Sequence, residues 1–161
     1  MKPQDHDTFY GLADDQGLAL LLVGEASICD QEGRIDVGST LLNRVDYGTL
    51  HQGWGHVYGK TIEDCEYDPN QYSCLNSNDP NYQRLLAIAQ DFDGSLQKSS
   101  VLQECLDVAR GLIAGTTART VKGIFYETHN SHGLWNQLKA KYGRDPVVEK
   151  VDAWHRFYAD V

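Results

Sequence analysis

Six consecutive apolar residues, Leu18 to Val23, run through Gly24 straight into a carboxylate, Glu25. Asp14 and Asp15 ahead of the run can cap a helix, and the pattern predicts that helix to about Cys29. It is apolar nearly all round, as expected of a helix at the centre of a fold. The rest of the chain then has to enclose it. Glu25, at its end, has to find partners or face water, because burying a lone carboxylate is costly.

The remaining elements read as follows. Gly33 to Val45 carries Ile35, Gly38, Leu41, Leu42 and Val45 on one stripe, predicting a second helix that ends near Gly48. Residues 47–79 are rich in Gly, Asp, Asn and aromatics (Tyr47, Trp54, Tyr58, Tyr67, Tyr72) and predict an irregular segment with one short helical turn at most. Segments of that length without regular structure are often functional. Asp79-Pro80 starts a helix to about Phe92. Ser99 and Ser100 open another, with Gln103 placed for a capping box. Its stripe is Leu102, Cys105, Ala109, Leu112 and Ile113, and Gly115 stops it. Val121 to Tyr126 has strand composition, Leu134 to Lys141 suits a short helix, and Trp154 to Tyr158 a short strand or packed tail. We therefore expect a polar lead-in over 1–13 and one domain over 14–161.

Composition narrows the function classes. The chain has 161 residues and a formal net charge of −9, a poor match for a phosphate backbone or an anionic membrane. Neither nucleic acid nor direct membrane insertion is expected. The longest apolar run is far short of the ~20 residues of a membrane span. The first ten residues lack the apolar core of a signal peptide, so either that export route is not used or the chain is processed. Four cysteines (Cys29, Cys65, Cys74, Cys105) show no CxxC spacing. A Cys65–Cys74 disulfide and a reduced, buried pair both remain open. His129, His132 and His155 form no HExxH or HxH signature, so no metal or other cofactor is expected. There is no GxSxG elbow, and no cysteine has a protease-like context.

Three features could carry chemistry. Glu25 is either a general acid whose proton is retained by burial, or a helix-end glutamate paired with Arg34 or Arg44. The segment Asn70-Gln71-Tyr72-Ser73-Cys74-Leu75-Asn76 alternates amide, hydroxyl and aromatic groups as sugar sites do, and is otherwise an ordinary polar loop. Phe125-Tyr126-Glu127-Thr128-His129 could bring a second acid or a positioning group, or simply be a polar strand end.

The order of VGEAS at 23–27, GRIDVGSTLLNRV at 33–45, QYSCLNSNDPNY at 71–82, VARGLIAG at 108–115, FY at 125–126, LW at 134–135 and HRFY at 155–158 resembles the SleB-type cell-wall hydrolases. The likeness runs from about residue 18 to 158. Within that group the chain is most similar to the muralytic enzymes of enveloped double-stranded RNA bacteriophages. The resemblance implies a mainly α (α+β) fold: a compact, lysozyme-like helical domain with a few short strands. It implies that Glu25 is the catalytic acid, and that Gln71, Tyr72, Ser73, Asn76, Tyr126 and Trp135 bind glycan. Two departures stand out. Ser27-Ile28-Cys29 replaces the family's Arg-Gly-Glu, and Glu127 stands where a histidine is usual, making Glu127 a candidate second catalytic residue.

The expected activity is cleavage of the β-1,4 bond between N-acetylmuramic acid and N-acetylglucosamine in peptidoglycan. A single acid favours a lytic transglycosylase, in which the sugar's own 6-hydroxyl closes a 1,6-anhydro ring; attack by water would make a muramidase. The resemblance also implies a place on the viral nucleocapsid beneath the envelope, nucleocapsid proteins as partners, and action in the host periplasm during entry and lysis. The alternatives are an endopeptidase of the peptide cross-links, and a non-catalytic glycan-binding or shell protein.

Overall fold

The computed structural model describes residue 9 and residues 11–50, 60–67 and 72–159. Among them the fold is mainly helical, with one small antiparallel sheet.

Helix α1 spans Asp14–Ala26, and Gly17 to Val23 and Ala26 are buried on every side of it. Ala13 is the N-cap, with Asp14 and Asp15 inside the first turn, where their charge favours the helix dipole. Each buried leucine contributes about 2 kcal/mol of hydrophobic stabilisation, so α1 is the axis of the core. Around it pack α2 (Gln31–Leu50), α3 (Ile62–Glu66), α4 (Tyr82–Gln90) and α6 (Ser100–Ala114). A short helix α5 (Phe92–Leu96) links α4 to α6; Asp91 caps it by accepting from the Gly94 N–H at 3.1 Å.

The start and stop of α6 follow local chemistry. Ser99 Oγ accepts from the Leu102 N–H at 3.2 Å, and Gly115 closes the helix at φ 72°. Gln103 does not complete a capping box: its amide reaches across to the Leu96 carbonyl at 2.7 Å. Leu102, Cys105, Ala109 and Leu112 are buried as the stripe predicts, whereas Ile113 is exposed.

The sheet has the order β1-β3-β2, from β1 (Phe125–Thr128), β2 (Val148–Val151) and β3 (His155–Tyr158). Phe125 pairs with Tyr158 and Thr128 with His155. Helix α7 (Gly133–Tyr142) lies between β1 and β2 in sequence. The expected strand over Val121–Tyr126 starts late because side chains take the ladder's place before Phe125. Asn43 Nδ2 donates to the carbonyls of Val121 and Gly123, both at 3.0 Å, and Arg44 Nε to that of Ile124 at 2.6 Å. The N–H groups of Lys122 and Gly123 are held by the Glu149 carboxylate at 2.8 Å each. Asn43 and Arg44 of α2 thus clamp the sheet to the helical core.

The polar lead-in expected over 1–13 gives way at Phe9, which is fully buried between Tyr67 and Tyr82. Tyr67 donates its hydroxyl to the Phe9 carbonyl at 2.6 Å. All four cysteines are free and buried, which answers the Cys65–Cys74 question in favour of thiols. No helix among the described residues is long and apolar enough to cross a membrane.

Candidate functional site

A cleft of about 420 Å³ opens where the C-terminal end of α1 meets the 3₁₀ turn Ser73–Leu75 and strand β1. Gly24, Glu25, Arg44, Ser73, Cys74, Asp79, Asn81, Tyr126, Glu127, Thr128 and His155 line it.

Glu25 is half-buried in the last turn of α1. A carboxylate there runs against the helix dipole. The exposed carbonyls of that end are met by two arginines. Arg84 Nη2 donates to Val23 O at 3.1 Å, and Arg34 donates to Ala26 O at 3.3 Å and Ser27 O at 3.2 Å. Arg34 also pairs with Glu104, so it is not the ion partner of Glu25. Glu25 Oε2 instead accepts from the Tyr126 hydroxyl at 3.0 Å, and the Cys74 thiol also hydrogen-bonds the carboxylate.

Those partners reach Glu25 because Gly24 has no side chain. A Cβ at Gly24 would stand 2.6 Å from Cys74 Sγ and 3.0 Å from Leu85 Cδ1. The 3₁₀ turn therefore lies directly on α1. Burial, followed by the charge of Glu25, pushes the Cys74 thiol far above its ordinary value. The same two causes raise the Tyr126 phenol. Both groups stay protonated and act as donors toward Glu25 throughout the neutral range.

The sequence candidates separate once placed. Glu25, Ser73, Tyr126 and Glu127 come together in the cleft. Tyr72 does not: it is 1% exposed, with the Arg44 guanidinium 4.9 Å over its ring, so it supports Arg44 from behind and offers no face to a sugar. Arg44 also lies 5.8 Å from the Tyr126 ring and so ties the two tyrosines together. Asn76 and Trp135 are half-buried outside the cleft lining; the Trp135 ring carries the Lys139 ammonium at 5.0 Å. Gln71 lies outside the described residues.

Glu127 is present but engaged. It is 8% exposed, accepts from the Tyr158 hydroxyl and from the Leu134 N–H at 3.0 Å, and faces Arg156 at 3.8 Å. Glu127 and Arg156 are register partners on β1 and β3, so the pair joins the strands and anchors the start of α7.

Sequence reasoning passed over Asp79 and Asn81, and weighed Arg44 only as an ion partner of Glu25 and His155 only as a metal ligand. Asp79 Oδ1 accepts from the Asn81 N–H at 2.8 Å, and its Oδ2 accepts from Ser73 Oγ at 3.3 Å. His155 is buried edge-on to Tyr126, with ring centroids 5.3 Å apart, and Asp152 lies 3.6 Å from its Nδ1. Asp79-Pro80 reads as the start of a helix, whereas the helix begins at Tyr82 and Asp79 lies in the turn before it; its neighbours in QYSCLNSNDPNY were the available hint.

Among the described residues no three His, Cys, Asp or Glu side chains are grouped to hold a metal ion. Burial raises Cys29 and Cys105 to about 11 and Cys74 higher still, so none of these three thiols is an activated nucleophile. Comparison of the chain with protein-family models, with curated proteins and with solved structures finds no match.

Proposed function

We propose that this cleft cleaves the glycan strand of peptidoglycan, with Glu25 as the general acid. The observation that carries the reading is the setting of Glu25. It is a half-buried carboxyl group on a rigid central helix, held by the donors Tyr126 and Cys74 and opening on a polar cleft. Glycosidic bonds break when such a group protonates the leaving oxygen while positive charge develops on the ring. The electron-rich ring of Tyr126 and the carboxylates of the cleft suit that charge. Ser73 and the Asn81 amide offer both donors and acceptors to sugar hydroxyls.

The bond cut in this reading joins N-acetylmuramic acid to N-acetylglucosamine. The cation is trapped either by the sugar's own 6-hydroxyl or by water, and the other groups of the cleft select between them. The same reading makes the chain a wall-penetrating enzyme carried on a bacteriophage nucleocapsid. Its presence in purified particles, detected by peptide mass spectrometry, tests that part.

The decisive experiment is mass spectrometry of fragments released from purified Gram-negative peptidoglycan by the wild type and by Glu25→Gln. Removing a general acid costs about 10²–10⁴-fold. We expect glycan fragments from the wild type and at least a hundredfold fewer from a variant with an unchanged melting temperature. Intact strands with severed cross-links would refute the reading and point to an endopeptidase. Binding to the wall without clearing it would point to a glycan-binding module.

A further inference from the structure

We propose that Asp79 is the second carboxylate of this cleft and the general base that activates water, making the reaction a hydrolysis with inversion. The inference rests on the reading of Glu25 as the acid of a glycan-cleaving site.

Asp79 reaches the cleft from a different part of the chain than Glu25, the turn between the 3₁₀ segment and α4. Cys74 connects the two. It packs on Gly24, hydrogen-bonds Glu25, and is acted on by the charges of both Glu25 and Asp79. Asp79 is held from both ends, Oδ1 by the Asn81 N–H and Oδ2 by the Ser73 hydroxyl. Each oxygen keeps a further lone pair.

Ser73 is exposed on the cleft wall and gives its hydrogen to Asp79, so its own lone pairs remain for the cleft. A water seated against both donates one hydrogen to Asp79 and the other to Ser73. Its lone pair then points away from the wall, toward a sugar carbon. Glu127 is the poorer candidate, because it is buried at 8% exposed and Arg156 at 3.8 Å offsets its charge.

The step balances without a further reactant. Glu25 transfers its proton to the glycosidic oxygen. The C1–O bond of the muramic acid breaks, and its electron pair leaves with the N-acetylglucosamine as a 4-hydroxyl. The water oxygen forms the new C1–O bond, and Asp79 takes its proton. Glu25 ends ionised and Asp79 protonated, and one proton returns to Glu25 through solvent. One water is consumed and nothing is oxidised or reduced. The new muramic end is a reducing end, first released as the α-anomer.

The test digests purified Gram-negative peptidoglycan in ¹⁸O-water. The expected result is one ¹⁸O on each new muramic end, with the α-anomer appearing first by NMR. Asp79→Asn keeps an oxygen to accept from Asn81, so it should fold as the wild type does and lose at least a hundredfold in kcat with KM little changed. Azide, a nucleophile that needs no base, should restore cleavage in that variant and leave a glycosyl azide, which a merely structural role for Asp79 would not produce. Anhydro-muramic ends without ¹⁸O in the wild type, a β-anomer released first, or Asp79→Asn at the wild-type rate would each overturn the role of Asp79 while leaving Glu25 as the acid. Strands left intact by the wild type, or cut at full rate by Glu25→Gln, would instead refute the underlying reading. The wild-type label and anomer decide whether the reaction is an inverting hydrolysis even if Asp79→Asn fails to fold.

Discussion

Gly24→Ala is a sharp test of how Glu25 is positioned. In an open helix this change would stabilise, because alanine is the better helix former by about 1 kcal/mol. Here the new Cβ would lie 2.6 Å from Cys74 Sγ, 3.0 Å from Cys74 Cβ and 3.0 Å from Leu85 Cδ1. Cys74 and Leu85 are at most 1% exposed, so neither can swing into solvent. Overpacking of that kind costs about 1–3 kcal/mol. Set against the gain in helix propensity, a net loss of up to about 2 kcal/mol remains, a fall in Tm of up to roughly 8 °C for a chain of this size. The assay is thermal unfolding of Gly24→Ala, Cys74→Ala and the double variant. Cys74→Ala removes the Sγ contact and leaves the 3.0 Å ones, so the double variant should recover about 1 kcal/mol relative to the sum of the singles. Activity should fall by more than stability accounts for, because the displaced turn carries Ser73 and Cys74 away from Glu25. A Gly24→Ala variant that melts above the wild type, or single effects that simply add, would refute the close approach of the 3₁₀ turn to α1.

Three further outcomes follow from particular contacts. Tyr126→Phe removes a hydroxyl that donates to Glu25 at 3.0 Å; hydrogen bonds to charged groups are worth about 1.5–3 kcal/mol, so glycan cleavage should drop about tenfold to a hundredfold in a digestion assay, with the fold intact. Gly123→Ala would put a Cβ 1.7 Å from the Tyr158 carbonyl, so strand pairing should break and the protein should lose about 3 kcal/mol or more, read by chemical denaturation. Glu66 is fully buried, and burial, followed by the charges of Asp14 and Glu63, raises its carboxyl well above 4.5. Its folded value exceeds its unfolded one, so the folded state holds the proton more tightly. The associated stability is complete below about pH 4 and is lost as pH rises toward the folded value. Glu66→Gln should therefore match the wild type near pH 4 and be the more stable of the two at neutral pH, in denaturation curves taken across that range.

What the sequence made legible was whatever local chemistry decides. The apolar run of α1, the Ser99 and Gly115 boundaries of α6, and the small helix over 133–142 are each set within a few residues, and each falls close to its predicted place. Elements decided by distant side chains were harder to read. The β1 boundary depends on Asn43, Arg44 and Glu149 taking backbone bonds that a strand would otherwise use. Strand β2 is exposed at Val148 and Val151 and carries little pattern to find. Glu66 lies in the acidic string IEDCE, inside the segment expected to be irregular, yet it is 1% exposed because Gly17 of α1 leaves room for its carboxyl.

The same division runs through the site. Glu25 could be singled out because a carboxylate after six apolar residues is an anomaly in one dimension. Asp79 could not, because Asp79-Pro80 reads as a helix start; the helix begins three residues later, at Tyr82 behind Asn81, and Asp79 holds the Asn81 N–H from the preceding turn. A carboxylate has two oxygens, however, and the second is held by Ser73 on the wall of the cleft. One side chain thus fixes the turn and faces the site at once. Tyr72 shows the converse. Its phenol resembles a sugar-binding group in sequence, but its place beneath Arg44 turns it into the packing that keeps Arg44 in the cleft wall. In both cases the residue's type was visible and its direction was not. Direction was set by the contact of Gly24 with Cys74, which brings the 73–81 segment onto the end of α1 and so sets Asp79 in the wall of the same cleft as Glu25.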